Sequence, residues 1–318
     1  MRTASLSLDV DNLWSYMKIH GDPRWESRPT YLNVFLPYIT EVLERLGVKI
    51  TFFIVGVDAA ERSNEAALRA LTRAGHEVGN HSFEHEPWLH LYTREQLESE
   101  IARADTAIEA ATGQKPVGFR GPGFSWCPML LEILSTRGHR FDASTLPTYL
   151  GPLARAYYFA TAKLTPEERS QRMALFGHFS DGFRPVKPYY WDLGGARRLL
   201  EIPVTTMPMI KLPFHFSYLA FLAGFSERLM MAYLRTALAM CRVTGTEPSF
   251  LLHPLDVIGA DQVEELKFFP AMTMTGERKT KLLVRVVQEL QRHFEIVPMG
   301  EHARRLIDRD RLPVRKAA

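Results

Sequence analysis

Residues 49–85 read KITFFIVGVDAAERSNEAALRALTRAGHEVGNHSFEH, and the fold can be read outward from them. Lys49 to Val55 gathers Ile50, Phe52, Phe53, Ile54 and Val55, the β-branched and aromatic composition of a buried strand. Ala66 to Ala74 has helical character and stops at Gly75, and His76 to His81 follows as a second short strand. Strand, helix and strand in so short a span predict two parallel strands joined by a crossover helix.

The same alternation extends in both directions. Upstream, Ser5 to Val10 alternates polar and apolar residues as a strand does, and Asn33 to Leu46 carries a helical stripe of Phe35, Ile39, Val42, Leu43 and Leu46 closed by Gly47. Downstream, Thr93 and Gln96 form a capping-box pattern opening a helix with Leu97, Ile101, Ala104 and Ile108 on one face, ended by Gly113. Val117 to Arg120 is a short strand, and Pro128 and Gly138 bracket another helix. Leu199 to Val204, Ser249 to His253 and Phe294 to Val297 are further strands, with a helix from about Arg278 to Gln291 before the last. This many strand–helix units predict an α/β fold in one domain over residues 1–318, a parallel sheet closing into a barrel. Two segments interrupt the pattern. Residues 147–198 lose periodicity and collect Pro, Gly and aromatics, the mark of a functional loop region. Residues 208–242 form an apolar insertion.

Composition narrows the function classes. A chain with 46% hydrophobic and 24% charged residues can bury a substantial core. The net charge of +3 comes from scattered Lys and Arg, so no nucleic-acid partner is expected. The two cysteines, Cys127 and Cys241, suggest neither a disulfide framework nor a thiolate metal site. The N-terminus runs into a strand with no apolar leader core, so a cytoplasmic location is expected. The longest uncharged stretch, Leu212 to Ser226, falls short of the ~20 residues that span a bilayer.

Chemistry-bearing residues gather at the C-terminal ends of the predicted strands. Asp9 and Asp11 lie two apart, so both carboxylates share a face opposite Leu6, Leu8 and Val10; capping of the next turn explains one of them equally well. His81 and His85 have a spacing that can bring two imidazoles to one ion if the segment turns helical, though two surface histidines have the same spacing. With Asp11 they make an N,N,O donor set suited to Zn²⁺ or a similar divalent ion. Arg120 could hold a catalytic carboxylate or a surface salt bridge, and His253 precedes Pro254 where a structural histidine is also common. No one motif decides the matter, but their joint placement on the active face of a barrel points to an enzyme.

In that order the residues resemble the polysaccharide deacetylases, the NodB-like enzymes of carbohydrate esterase family four. Leu8-Asp9-Val10-Asp11 is similar to the family's first motif with one residue inserted, His81-Ser82-Phe83-Glu84-His85 to the second, Arg120-Gly121-Pro122 to the third, and Leu251-Leu252-His253 to the fifth. Phe141 to Ser144 and Leu200 to Val204 look like connecting strands of the family, so the resemblance spans about Ser5 to Pro254. It implies a distorted (β/α) barrel, one divalent ion (Zn²⁺ first, with Co²⁺, Ni²⁺ or Mn²⁺ as alternatives) on Asp11, His81 and His85, Asp9 as base fixed by Arg120, the Gly123 N–H as oxyanion donor, and His253 as acid. The reaction implied is removal of an N-acetyl or N-formyl group from an amino sugar. Departures from the family pattern are Asp-Val-Asp for adjacent aspartates, as in a branch that includes enzymes of lipid-linked sugars, Gly123 where many members have Tyr, and a fourth motif without its usual form. Trp191-Asp192 is the nearest counterpart of that motif, making Trp191 the candidate wall of the substrate site and leaving His253 without an assigned partner.

Two other classes keep the fold. A metal-free hydrolase of cyclic amides would lack the donor set, and a non-catalytic glycan-binding module would lack the base or the acid; all are present here. For residues 208–242 the expectation is peripheral contact with the inner membrane face by a glycolipid-processing enzyme, through Phe221 and Phe225 with Lys211, Arg228, Arg235 and Arg242 toward anionic headgroups. A homo-oligomer interface through the same segment is the competing expectation.

Overall fold

Both faces of the first strand, β1 (Arg2–Asp9), are buried beyond Arg2, so its Ser/Leu alternation separates two interiors rather than core from water. The computed structural model describes residues 1–153, 156, 178–309 and 311–317. Within these, β1 is followed by β2 (Thr51–Ile54), β3 (Glu77–Asn80), β4 (Gly118–Phe119), β5 (Phe141–Asp142), β6 (Tyr189–Asp192), β7 (Arg198–Glu201), β8 (Ser249–Leu252), β9 (Phe294–Val297) and β10 (Val314–Lys316). The order is β8-β1-β2-β3-β4-β5-β7, parallel throughout, with β9 beside the N-terminal half of β1. Beyond β7 the chain stays extended. Ile202 and Val204 donate backbone bonds to Asp142 and Thr145 on one side, and Thr205 donates to Ser249 at the start of β8 on the other. Those bonds close the sheet into the expected distorted barrel.

The helices α1 (Leu13–His20), α2 (Leu32–Arg45), α3 (Gly56–Ala60), α4 (Glu65–Arg73), α5 (Arg94–Thr112) and α6 (Pro128–Thr136) follow in chain order. The capping box of Thr93 and Gln96 forms as read, as does the α6 bracket from Pro128. Leu6, Leu8, Phe52, Ile54 and Val78 face outward into the helical layer. Phe53 and Phe141 belong to a separate interior cluster, their rings 6.5 Å apart and edge-to-face.

Glycine makes the room for those rings. A Cβ on Gly118 would lie 2.0 Å from Phe141 Cζ, and one on Gly79 2.5 Å from Phe53 Cδ1. Gly118→Ala is therefore expected to destabilise the protein by about 1–3 kcal/mol through overpacking, read as a lowered melting temperature. A melting temperature equal to wild type would show that the Phe141 ring yields freely.

The last helices complete the shell. α7 (Phe216–Phe225) and α8 (Glu227–Thr244) form a hairpin, α9 (Gly276–Gln291) packs beside them, and α10 (Met299–Arg309) closes the N-terminal mouth of the barrel. Its first turn donates from Met299 N–H to Thr51 Oγ1 and from Gly300 N–H to Glu77 Oε1, at 2.7 and 2.8 Å.

Three readings need correction. The 147–198 region is not wholly irregular: β6 and β7 form an antiparallel hairpin and β10 adds to β6. Residues 154, 155 and 157–177 of it lie outside the described residues. Residues 81–85 do not turn helical; Ser82 and His85 adopt left-handed φ of 62° and 57° instead. The buried Glu100 carboxylate explains this, since it draws in the N–H groups of Phe83 and Glu84 at 2.9 and 2.7 Å. In the insertion, much of the apolar surface is core: Phe214, Phe216, Leu219, Met230, Leu234 and Leu238 are buried.

Candidate active site

β1 delivers Asp9 into the barrel's upper mouth, where Arg120, just past β4, meets it. The Arg120 guanidinium is fully buried and donates to Asp9 Oδ1 at 2.6 Å, to Ser7 Oγ at 2.9 Å and to the Ala143 carbonyl at 3.1 Å, with the Phe53 ring 4.3 Å below. Bonds on several sides fix the guanidinium, which orients the carboxylate through one short charge-assisted bond.

Asp11 lies past the end of β1 in a turn that other buried groups hold. Asn12 caps α1 and donates to Asp58 Oδ1 at 2.8 Å, while Tyr31 donates its hydroxyl to the Asp11 carbonyl at 2.5 Å. Burial pushes the Asp58 carboxyl up to about 6 against the bonds from Asn12 and Trp14. Asp11 Oδ1 then stands 3.3 Å from His81 Nε2 and 2.9 Å from His85 Nε2, all three donor atoms lying within 4.8 Å of one another.

This donor set fits a divalent cation. His81 Nδ1 lies 2.6 Å from the Arg120 carbonyl, which can only accept, so Nδ1 carries a proton and the neutral ring would offer its Nε2 lone pair on the Asp11 side. The two imidazole nitrogens come close to Asp11 Oδ1, and against the effect of burial they hold its carboxyl well below the usual range. A carboxylate oxygen and two imidazole nitrogens facing one another are held together by a shared proton or by a cation, and tetrahedral ligation at ~2.1 Å sets donors about 3.4 Å apart, close to the spacings seen here. The carbonyl bond to His81 is the supporting contact such ligands ordinarily make.

His253 approaches from β8. Its Nε2 is 3.9 Å from Asp9 Oδ2, so the two side chains share one cavity of about 150 Å³ with Asp11, His81, His85 and Gly123. The partner left unassigned by the sequence is Asp256, three residues on, together with Ser217 from α7. Asp256 accepts the His253 backbone N–H at 2.8 Å and the Ser217 hydroxyl at 2.8 Å, and Ser217 Oγ lies 3.4 Å from His253 Nδ1. Burial pushes the Asp256 carboxyl up, while His253 and the Ser217 hydroxyl pull it down. A hydrogen bond to a charged group contributes about 1.5–3 kcal/mol, so Asp256→Asn is expected to lower kcat roughly 10- to 100-fold with KM little changed. Unaltered kcat in that variant would leave the carboxylate a purely structural cap.

Gly123 sits on the cavity wall with φ 57°, in a turn where Gly121 has no room for a side chain because Ser125 O would lie 1.9 Å from its Cβ. Trp191 is not the wall of the site. It is 2% exposed, donates to Glu201 Oε2 at 3.0 Å and stands behind Trp126, ring centroids 4.7 Å apart. Trp126, with Phe124 and Tyr218, lines the adjoining cleft. The structure thus brings together every sequence-derived site residue except Trp191. Those missed are Asp256, Ser217 and Trp126; the His253-Pro254-Leu255-Asp256 turn was the one local signal available.

Residues 25–141 match the polysaccharide deacetylase family. The chain is 32% identical over 106 residues to a chitooligosaccharide deacetylase of Sinorhizobium fredii, covering 33% of this chain and 48% of that protein. It is 26% identical over 143 residues to a peptidoglycan deacetylase of Helicobacter pylori, covering 44% and 48%. A solved structure from Mycobacterium smegmatis, whose given name places it with the polysaccharide deacetylases, superposes with a TM-score of 0.63 at 17% identity over 98% of this chain and 93% of that one, a likeness of fold. Over residues 25–141 the chain is therefore similar to the polysaccharide deacetylases, and over its whole length the likeness is one of fold. Its matches span about a third to a half of the curated relatives' length.

Proposed function

We propose that the protein is a metal-dependent hydrolase that removes an N-acetyl or N-formyl group from an amino sugar. The observation that carries this reading is one cavity holding both an N,N,O donor set and two proton-transfer groups, Asp9 and His253, 3.9 Å apart. A divalent ion on Asp11, His81 and His85, with Zn²⁺ the first candidate, supplies Lewis acidity toward water and the acyl oxygen. Asp9, fixed by Arg120, takes the proton of the attacking water. The Gly123 N–H supports the oxyanion as the carbonyl becomes tetrahedral. His253, steadied by Ser217 and Asp256, gives a proton to the departing amine, leaving a free amino sugar and acetate or formate. The test is metal-loaded protein with N-acetyl-glucosamine oligomers, followed by mass spectrometry for loss of the acyl group. Binding without hydrolysis would favour a glycan-binding module, and hydrolysis retained in chelated protein a metal-free mechanism.

The finer reading concerns the substrate's setting. Phe221 and Phe225 of α7 are 50% and 75% exposed with rings 5.2 Å apart, and Leu229 of α8 is 54% exposed. Arg228 lies beside them in sequence, whereas Arg235 is paired with Glu289 and Lys211 turns inward to the Arg184 carbonyl. No described helix is long and apolar enough to cross a membrane. We read the patch as a contact with the cytoplasmic membrane face, presenting a lipid-linked sugar to the site. Co-sedimentation with anionic vesicles is expected for wild type and weakened in the double variant Phe221→Ser, Phe225→Ser. Wild type that ignores the vesicles would leave a homo-oligomer interface as the better account.

A further inference from the structure

We infer that Lys279 is a positioning residue for proton delivery to the leaving amine: its buried ammonium grips the turn that follows His253 and sustains the charge on Asp256. The inference rests on the deacetylase reading, in which His253 is the acid.

The turn Pro254–Asp256 is closed by the Asp256 N–H on the His253 carbonyl and by the Val257 and Ile258 N–H groups on the Pro254 carbonyl, each at 3.0 Å. Those bonds use the carbonyls of His253 and Pro254, and the carbonyls of Leu255 and Ile258 are left to be satisfied from outside the turn. Lys279, in the first turn of α9, satisfies both. Its Nζ donates to the Leu255 carbonyl at 2.7 Å and to the Ile258 carbonyl at 2.8 Å, and it reaches Met272 Sδ at 3.1 Å. The three ammonium protons thus each have a partner, and none of those partners is a carboxylate.

Lys279 is 1% exposed. Burying an ammonium is costly, and an apolar side chain of the same length would fill this space without that cost. What the cation adds, beyond the grip on two carbonyls, is its field on Asp256. Burial pushes the Asp256 carboxyl up, and the charges that pull it down are His253 and then Lys279. Burial also pushes the Lys279 pKa down, to about 8, with Asp256 and then Asp261 opposing, so the ammonium is charged at neutral pH. An ionised Asp256, its Oδ2 3.9 Å from His253 Nδ1, favours the imidazolium that donates to the amine. Without the ammonium, Asp256 would take up a proton more readily and support the imidazolium less.

The test is a double-mutant cycle on metal-loaded protein with N-acetyl-glucosamine oligomers. Lys279→Met keeps the length and the apolar stem but removes the charge and the three donors. It is expected to lower kcat for acetate release about tenfold, the scale of one pKa unit on the acid, with KM and metal content unchanged. In a His253→Ala background the same substitution is expected to cost less than about twofold, because the group it acts through is gone. Lys279→Gln, which keeps a donor without the charge, is expected to fall between wild type and Lys279→Met; it also serves if the Met variant fails to fold, as judged by melting and metal content. Wild type that releases no acetate from the oligomers overturns the deacetylase reading and this inference with it. Wild-type kcat in Lys279→Met, or an equal loss in the two backgrounds, overturns the inference alone.

Discussion

His81→Ala protein is expected to lose its metal and its hydrolase activity together while still melting cooperatively, and His85→Ala to do the same. Both imidazoles point an Nε2 at Asp11 Oδ1, so deleting either leaves two donors where three converge. Loss of a mere supporting partner costs about 10–100-fold in metal affinity or activity, so loss of a ligand itself is expected to exceed ~100-fold. The fold survives because His81 and His85 lie beyond the end of β3, in a loop that Glu100 and Asn80 still hold. Elemental analysis beside a kinetic assay reads the result. Full metal occupancy in His81→Ala would remove the residue from the donor set.

Asp9→Asn separates proton transfer from metal binding. The amide keeps the shape of the carboxylate but cannot take a proton, and kcat is expected to fall ~10²-fold or more with metal retained. A stability cost accompanies it. Arg120 is wholly buried, and removing the negative partner of a buried pair costs about 3–5 kcal/mol because the remaining charge is uncompensated. Ser7 Oγ and the Ala143 carbonyl stay on the guanidinium and soften that penalty, so the melting temperature is expected to drop without loss of the fold. His253→Ala is expected to lower kcat on a similar scale with no such effect on melting, since its side chain lies at the cavity rim. Near-normal turnover in Asp9→Asn would assign the base elsewhere.

These variants test what was legible from the sequence. Asp9, Asp11, His81, Arg120 and His253 could be found because each follows a strand whose period and punctuation are local, and parallel strands in a barrel present their C-terminal ends on one face. Strand limits came out within a few residues, from Phe294–Val297 as read to the shorter Glu77–Asn80. The helix before Glu77–Asn80 was equally plain, because Gly75 and the stripe of Ala67, Leu68 and Leu71 are local signals.

By itself, then, the sequence determined the order of strands and helices, the parallel sense of the sheet and the face on which the chemistry gathers. Each follows from interactions within about a dozen residues, the range over which side-chain period, capping and turn preference act. The tertiary structure alone decided what those residues touch. Ser217 reaches His253 across 36 positions, Trp126 displaces Trp191 from the cleft by stacking in front of it, and residues 202–206 close the barrel by bonding to both Thr145 and Ser249. No local pattern encodes such pairings, because they depend on how separate elements pack.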